Sequence, residues 1–96
     1  MQLTKGVISR DEAMRLCPDY VKYVEGNWDL YRSVRDKFSK IKRGQSAITY
    51  HEGQFVRVKI TMINNNDFRA VDGPVIRVTN GEYSWRVDGN HDAWPI

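Results

Sequence analysis

Phe55-Val56-Arg57-Val58-Lys59-Ile60-Thr61-Met62-Ile63 is the stretch on which the fold turns. Its side chains alternate. Val56, Val58, Ile60 and Met62 fall on one side and Phe55, Arg57, Lys59 and Thr61 on the other, the two-residue period of a half-buried strand. A strand with one wet face belongs to an antiparallel sheet. The flanking segments keep that period. Residues 47–50 read as a strand joined to the first by a turn at Glu52-Gly53. Beyond it, Asn64-Asn65-Asn66-Asp67 is a turn by composition, because Asn and Asp tolerate left-handed backbone and bond locally. Residues 68–71 read as a short strand closed by Asp72-Gly73-Pro74. Asn80-Gly81 then separates strands over 75–79 and 82–87, and this pair favours a two-residue type I′ hairpin with positive φ at both positions. Such a turn sets Thr79 opposite Glu82, Val78 opposite Tyr83, Arg77 opposite Ser84, Ile76 opposite Trp85 and Val75 opposite Arg86. Ile76, Val78, Tyr83 and Trp85 are then buried together.

Upstream of residue 45 the period changes to that of helices. Ser9 is placed to cap a first helix and Glu12 to return a bond to it, while Pro18 ends the helix near Cys17. Ala13, Met14, Leu16 and Cys17 are its apolar members. A second short helix over residues 19–25 turns Tyr20, Val21 and Val24 inward, and Gly26-Asn27 ends it and caps the next. The third and longest is expected over residues 28–43, where Leu30, Tyr31, Val34, Phe38 and Ile41 form one stripe. On that helix Arg32, Lys40 and Arg43 lie opposite the stripe, Arg35 and Lys42 flank it, and Gly44 ends it.

Ninety-six residues, 41% of them hydrophobic and 28% charged, suit one compact domain rather than a disordered or fibrous chain. The expected architecture is α+β in a single domain 1–96. A helical half (1–44) packs on one face of a four- or five-stranded antiparallel sheet (45–96). No run reaches the length of a membrane span, and the opening residues do not read as a signal peptide. Cys17, alone of its kind, forms no internal disulfide and no cysteine-ligated zinc site. A cytoplasmic setting without metal or cofactor is the expectation.

Charge is concentrated in one place. Residues 32–43 hold Arg32, Arg35, Lys37, Lys40, Lys42 and Arg43 against Asp36 alone, whereas the segments on either side each carry one more acid than base. The net +3 of the chain therefore belongs to this stretch, and such a footprint attracts phosphates or an acidic protein surface. Arg57, Lys59, Arg77 and Arg86, outward on the sheet, extend the candidate surface, with Glu82 and Asp72 among them.

Gly53-Gln54-Phe55-Val56-Arg57-Val58, Asp72-Gly73-Pro74-Val75-Ile76-Arg77-Val78 and Tyr83-Ser84-Trp85-Arg86-Val87-Asp88-Gly89 resemble the strand and glycine rhythm of small SH3-like barrels of the KOW and Tudor type. That resemblance implies a barrel-like sheet and a binding module for nucleic acid or a protein tail. Gly89-Asn90-His91-Asp92 is similar to a metal-binding block of calcineurin-like metallophosphoesterases. That chemistry needs two metals and several further Asp and His ligands. The only other histidine is His51, so the block reads as a polar turn. Cys17 reads as a packed small hydrophobe.

The expected function is non-catalytic binding to nucleic acid or a nucleoprotein machine through the cationic helix. The alternative is a regulator or inhibitor, of the kind made by phages and mobile elements, that docks on an acidic host protein. A small ribonuclease-like toxin is the third reading. The apolar end Trp94-Pro95-Ile96 is expected to fold back on the sheet rather than serve as a docking anchor.

Overall fold

A computed structural model describes residues 5–64, 75–87 and 93–96. The expected turn and strand over 64–74 lie almost wholly outside the described residues, and so does Gly89-Asn90-His91-Asp92. Among the described residues the order is β1 (Val7–Ile8), α1 (Arg10–Leu16), α2 (Pro18–Val24), a 3-10 turn (Trp28–Leu30) and α3 (Tyr31–Ser39). The strands β2 (Ser46–His51), β3 (Gln54–Asn64), β4 (Val75–Thr79), β5 (Ser84–Val87) and β6 (Ala93–Pro95) follow. The α+β class holds, with six strands among the described residues rather than four or five because the short β1 and β6 also pair. No described helix is long and apolar enough to cross a membrane.

The sheet runs β5-β4-β3-β2-β6, and every pairing is antiparallel. β1 takes the edge of β3 at Phe55 and Val56, while β4 takes the same edge from Lys59 onward. The tail does fold back, since Trp94 pairs with Ile48. The sheet is strongly curled. Trp85 of β5 stacks on His51 of β2 with ring centroids 4.7 Å apart, although two strands separate them in a ladder whose steps are about 4.8 Å.

One core lies on the inner face, where Ala47, Val56, Val58, Ile60, Ile76, Val78, Val87 and Ala93 meet Phe38 and Ile41. A second lies on the opposite face, where Ala13, Cys17, Tyr20, Val21, Tyr23 and Val34 pack on Ile48 and Phe55. α3 therefore belongs to both cores. It passes beside β6, where Lys37 Nζ sits 5.6 Å from the centre of the Trp94 ring, and so covers a strand edge that would otherwise invite pairing.

Several expectations are corrected. First, α3 ends at Ser39, not at residue 43. The backbone beyond it is recruited by β3, with the Gly44 N–H donating to the Ile60 carbonyl at 2.7 Å and the Ile60 N–H to the Gln45 carbonyl at 3.0 Å. Lys42 and Arg43 are thus turn residues. Second, the Asn80-Gly81 hairpin is longer than expected, pairing Thr79 with Ser84, Val78 with Trp85, Arg77 with Arg86 and Ile76 with Val87. The Asn80 side-chain oxygen accepts from the Glu82 and Tyr83 amides at 2.9 and 2.7 Å, and its Nδ2 donates to the Lys5 carbonyl at 2.8 Å. These bonds hold a four-residue loop in which Gly81 alone has positive φ. A slip of two residues preserves facing, so Trp85 still turns toward the core, but Tyr83 moves into the loop and is exposed. The tight turn with positive φ at both central residues is Glu52-Gly53 (51° and 82°).

Third, β3 does not alternate to its end. Ile60 pairs with Val78 but Met62 with Arg77, so Thr61 is an extra residue, a β-bulge. Past it the faces exchange: Ile63 pairs with Ile76, while Met62 is 46% exposed. Phe55 is covered by the helices rather than by water, and Leu16 is exposed rather than buried.

A candidate anion-binding face

All six cations of residues 32–43 are exposed, but they do not form one helical stripe. Arg32, Arg35 and Lys37 are on α3, Lys40 is its C-cap, and Lys42 and Arg43 stand in the turn before β2. That turn is closed by the Gln45 side-chain oxygen, which accepts the Lys42 N–H at 3.0 Å. Because Gly44 and Gln45 bond to Ile60, and Ser46 pairs with Lys59, the turn lies against the same part of β3 as the outward cations of the sheet.

The four sheet cations fall on one face. Lys59 pairs with Thr79 and Thr79 with Ser84, forming one cross-strand row. Arg57 is two residues from Lys59, Arg77 two from Thr79, and Arg86 two from Ser84, so all share the outward side. Each is exposed. The described strands carry no acidic residue, so these four are their only Lys, Arg, Asp or Glu side chains. The helices α1 and α2 cover this face only over Ile48 and Phe55, leaving the part with Lys59, Arg77 and Arg86 bare.

A shallow depression of about 300 Å3 opens on the bare part, lined by Ser46, Arg57, Lys59, Thr79, Asn80 and Gly81. Lys5 reaches its rim, with Cε and Nζ 3.1 Å from where a Cβ on Gly81 would stand. The φ of 94° at Gly81 is what favours glycine there, since the Lys5 side chain is exposed and can move aside. The Thr79 hydroxyl donates to the Tyr83 carbonyl at 2.7 Å and accepts from the Gly81 amide at 3.0 Å. The depression's uncommitted polar groups are therefore its cations and the exposed Ser46 hydroxyl.

Other candidate chemistry resolves differently. Cys17 is fully buried, and desolvation pushes its thiol up to about 11, so it stays protonated and unreactive at neutral pH. His51 stacks on Trp85 and lies 3.8 Å from a Glu52 carboxylate oxygen. Among the described residues no cluster of His, Cys, Asp and Glu is arranged as metal ligands would be. Sequence reasoning missed Trp28. It was placed at the start of a helix and is 71% exposed in the 3-10 turn, edge-to-face with Tyr23 at 5.4 Å. Its position two residues before the apolar stripe begins was the available signal.

Compared with known proteins, the chain matches no family model, no curated protein and no solved structure, so any functional reading rests on its own residues.

Proposed function

We propose that this chain is a non-catalytic nucleic-acid-binding module. Its contact surface is the bare, basic part of the sheet together with the turn at Lys40, Lys42 and Arg43. The observation that carries this reading is the composition of the described strands, with four cations on one exposed face and no acid among them. A face of one sign concentrates polyanions, and contacts to phosphates supply affinity without reading sequence. Arg32, Arg35 and Lys37 on α3 widen the field.

The test is binding of a fluorescent oligonucleotide across a salt series. Lys42, Arg43 and Arg77 are exposed and make no ion pair among the described residues. The triple variant Lys42→Gln, Arg43→Gln, Arg77→Gln is expected to stay folded, since surface changes usually cost under ~0.5 kcal/mol. Its salt slope should be shallower by roughly two to three units. An unchanged slope in the folded variant overturns the reading.

One observation favours the second reading, a regulator docking on an acidic protein surface. Trp28, 71% exposed and four residues before Arg32, has the character of an interface anchor. Under that reading Trp28→Ala weakens capture of the protein partner, whereas oligonucleotide binding by the sheet is left unchanged.

A further inference from the structure

Three cations from two distant parts of the chain converge on the outer-face depression. Arg57 and Lys59 line it from β3, and Lys5 arrives from the segment before β1. The convergence is built in. The Asn80 side chain holds the Lys5 carbonyl at 2.8 Å, the Arg57 amide donates to the Gly6 carbonyl at 2.7 Å, and Gly6 and Gly81 both have positive φ. A side chain at Gly6 would stand 2.7 Å from the Arg57 carbonyl. Like charges brought together repel. Among the described residues, none of the three has an acidic partner. A concave site with uncompensated charge of one sign focuses the potential on whatever enters it.

We propose that this depression is a phosphate seat. Arg57 is placed to grip phosphate oxygens with its planar fork, Lys59 and Lys5 to act as point charges on either side, and the exposed Ser46 to contribute its hydroxyl. At about 300 Å3 it has the volume of the smallest ligand pockets, and its openness lets a chain pass through. The occupant is therefore a backbone phosphate of a bound strand. This rests on the nucleic-acid reading above and sharpens it. The sheet face supplies diffuse attraction, and the seat sets where the strand lies.

The experiment follows backbone amide NMR shifts in the whole chain with two probes, inorganic phosphate and a short oligodeoxythymidylate. It is joined to binding measurements on Lys5→Gln, Lys59→Gln and, as a matched loss of charge elsewhere, Lys22→Gln. The expected result is that the oligonucleotide shifts Ser46, Lys59, Thr79 and Gly81. Inorganic phosphate shifts the same amides weakly. Lys5→Gln and Lys59→Gln each weaken oligonucleotide binding by roughly tenfold and flatten the salt slope by about one unit, with Lys22→Gln doing neither. Thermal melts of each variant verify folding. If the oligonucleotide binds but leaves these amides unmoved, and Lys5→Gln and Lys59→Gln behave as Lys22→Gln does, the seat is overturned while the nucleic-acid reading stands. If inorganic phosphate shifts these amides and the oligonucleotide binds no more tightly than it, the site takes free anions. Both the strand assignment and the nucleic-acid reading then fall.

Discussion

Single side chains in this protein hold backbone groups that no strand or helix satisfies. The Tyr20 hydroxyl, from a side chain only 1% exposed, accepts the Tyr50 N–H at 2.9 Å, which joins α2 to the end of β2. Tyr20→Phe keeps the ring and its edge contact with Phe55 but removes the acceptor. A buried amide left unpaired costs about 1–3 kcal/mol, so the urea midpoint should fall with an unchanged denaturant slope. An unchanged midpoint would mean that water reaches the Tyr50 amide. Asn80 acts similarly on a larger scale, and its bonds decided the register of β4 and β5. An Asn-Gly pair carries two competing signals, a backbone suited to positive φ and a side chain that caps amides, and here capping won because the Lys5 carbonyl holds Nδ2.

At the scale of elements, α1 and α2 are joined across a tight corner by the ion pair of Arg10 with Glu25, whose second contact, Nη2 to Oε1, is 2.7 Å. The hydrogen bond and charge of Arg10 hold the Glu25 carboxyl below its ordinary value of 4.5. A lowered carboxyl stabilises the fold fully above that ordinary value, and the contribution fades as pH falls through the lowered one. Wild type should therefore lose stability on acidification relative to Glu25→Gln. Chemical denaturation at neutral and acidic pH checks this, and a constant difference between the two proteins would show that the pair is not coupled to folding. The pair is exposed, so the effect is small. In the sheet, Thr61 is the inserted residue of the bulge, held by its Oγ1 bond to the Arg77 carbonyl at 3.2 Å. Deleting Thr61 leaves Met62 opposite Arg77 and Ile63 opposite Ile76, the native facing, and β2 makes no pairing beyond this point. The shortened chain should fold, losing about 1 kcal/mol for the bond. Deleting Lys59 instead turns Ile60 out of the core and Thr61 into it, even if the bulge closes to keep Met62 and Ile63 in register. Failure of the Thr61 deletion to fold would show that the bend itself is required.

The whole molecule depends on α3 belonging to both cores. Phe38, fully buried, packs with the inner face of the curled sheet, while Val34, one helical turn earlier, packs with α1, α2 and Ile48. Phe38→Ala removes a large ring from the point where the two cores adjoin and should cost about 3–5 kcal/mol. That is much of the roughly 5–15 kcal/mol by which domains are stable. A single cooperative transition at lower denaturant is expected, monitored by tryptophan fluorescence and by circular dichroism. Two separated transitions would show that the cores unfold independently. The inner side of the curl holds one core and the outer side carries the other under α1 and α2, while Arg57, Lys59, Arg77 and Arg86 on that outer side stay exposed.

The sequence by itself determined the order of α1 to α3 and β2 to β5, the α+β class, the inward residues of β3 and β4 up to the bulge, and the shared face of Arg57, Lys59, Arg77 and Arg86. These follow from local periodicity and capping, which act over a few residues. The tertiary structure decided where α3 ends, because β3 competes for the backbone of Gly44 and Gln45. It decided the bulge at Thr61, since an extra residue is visible only against a partner strand. It also brought Lys5 to Arg57 and Lys59, and the basic turn to the sheet. Each of these is a contact between residues far apart in the chain, and periodicity within a segment holds no information about what will lie across from it.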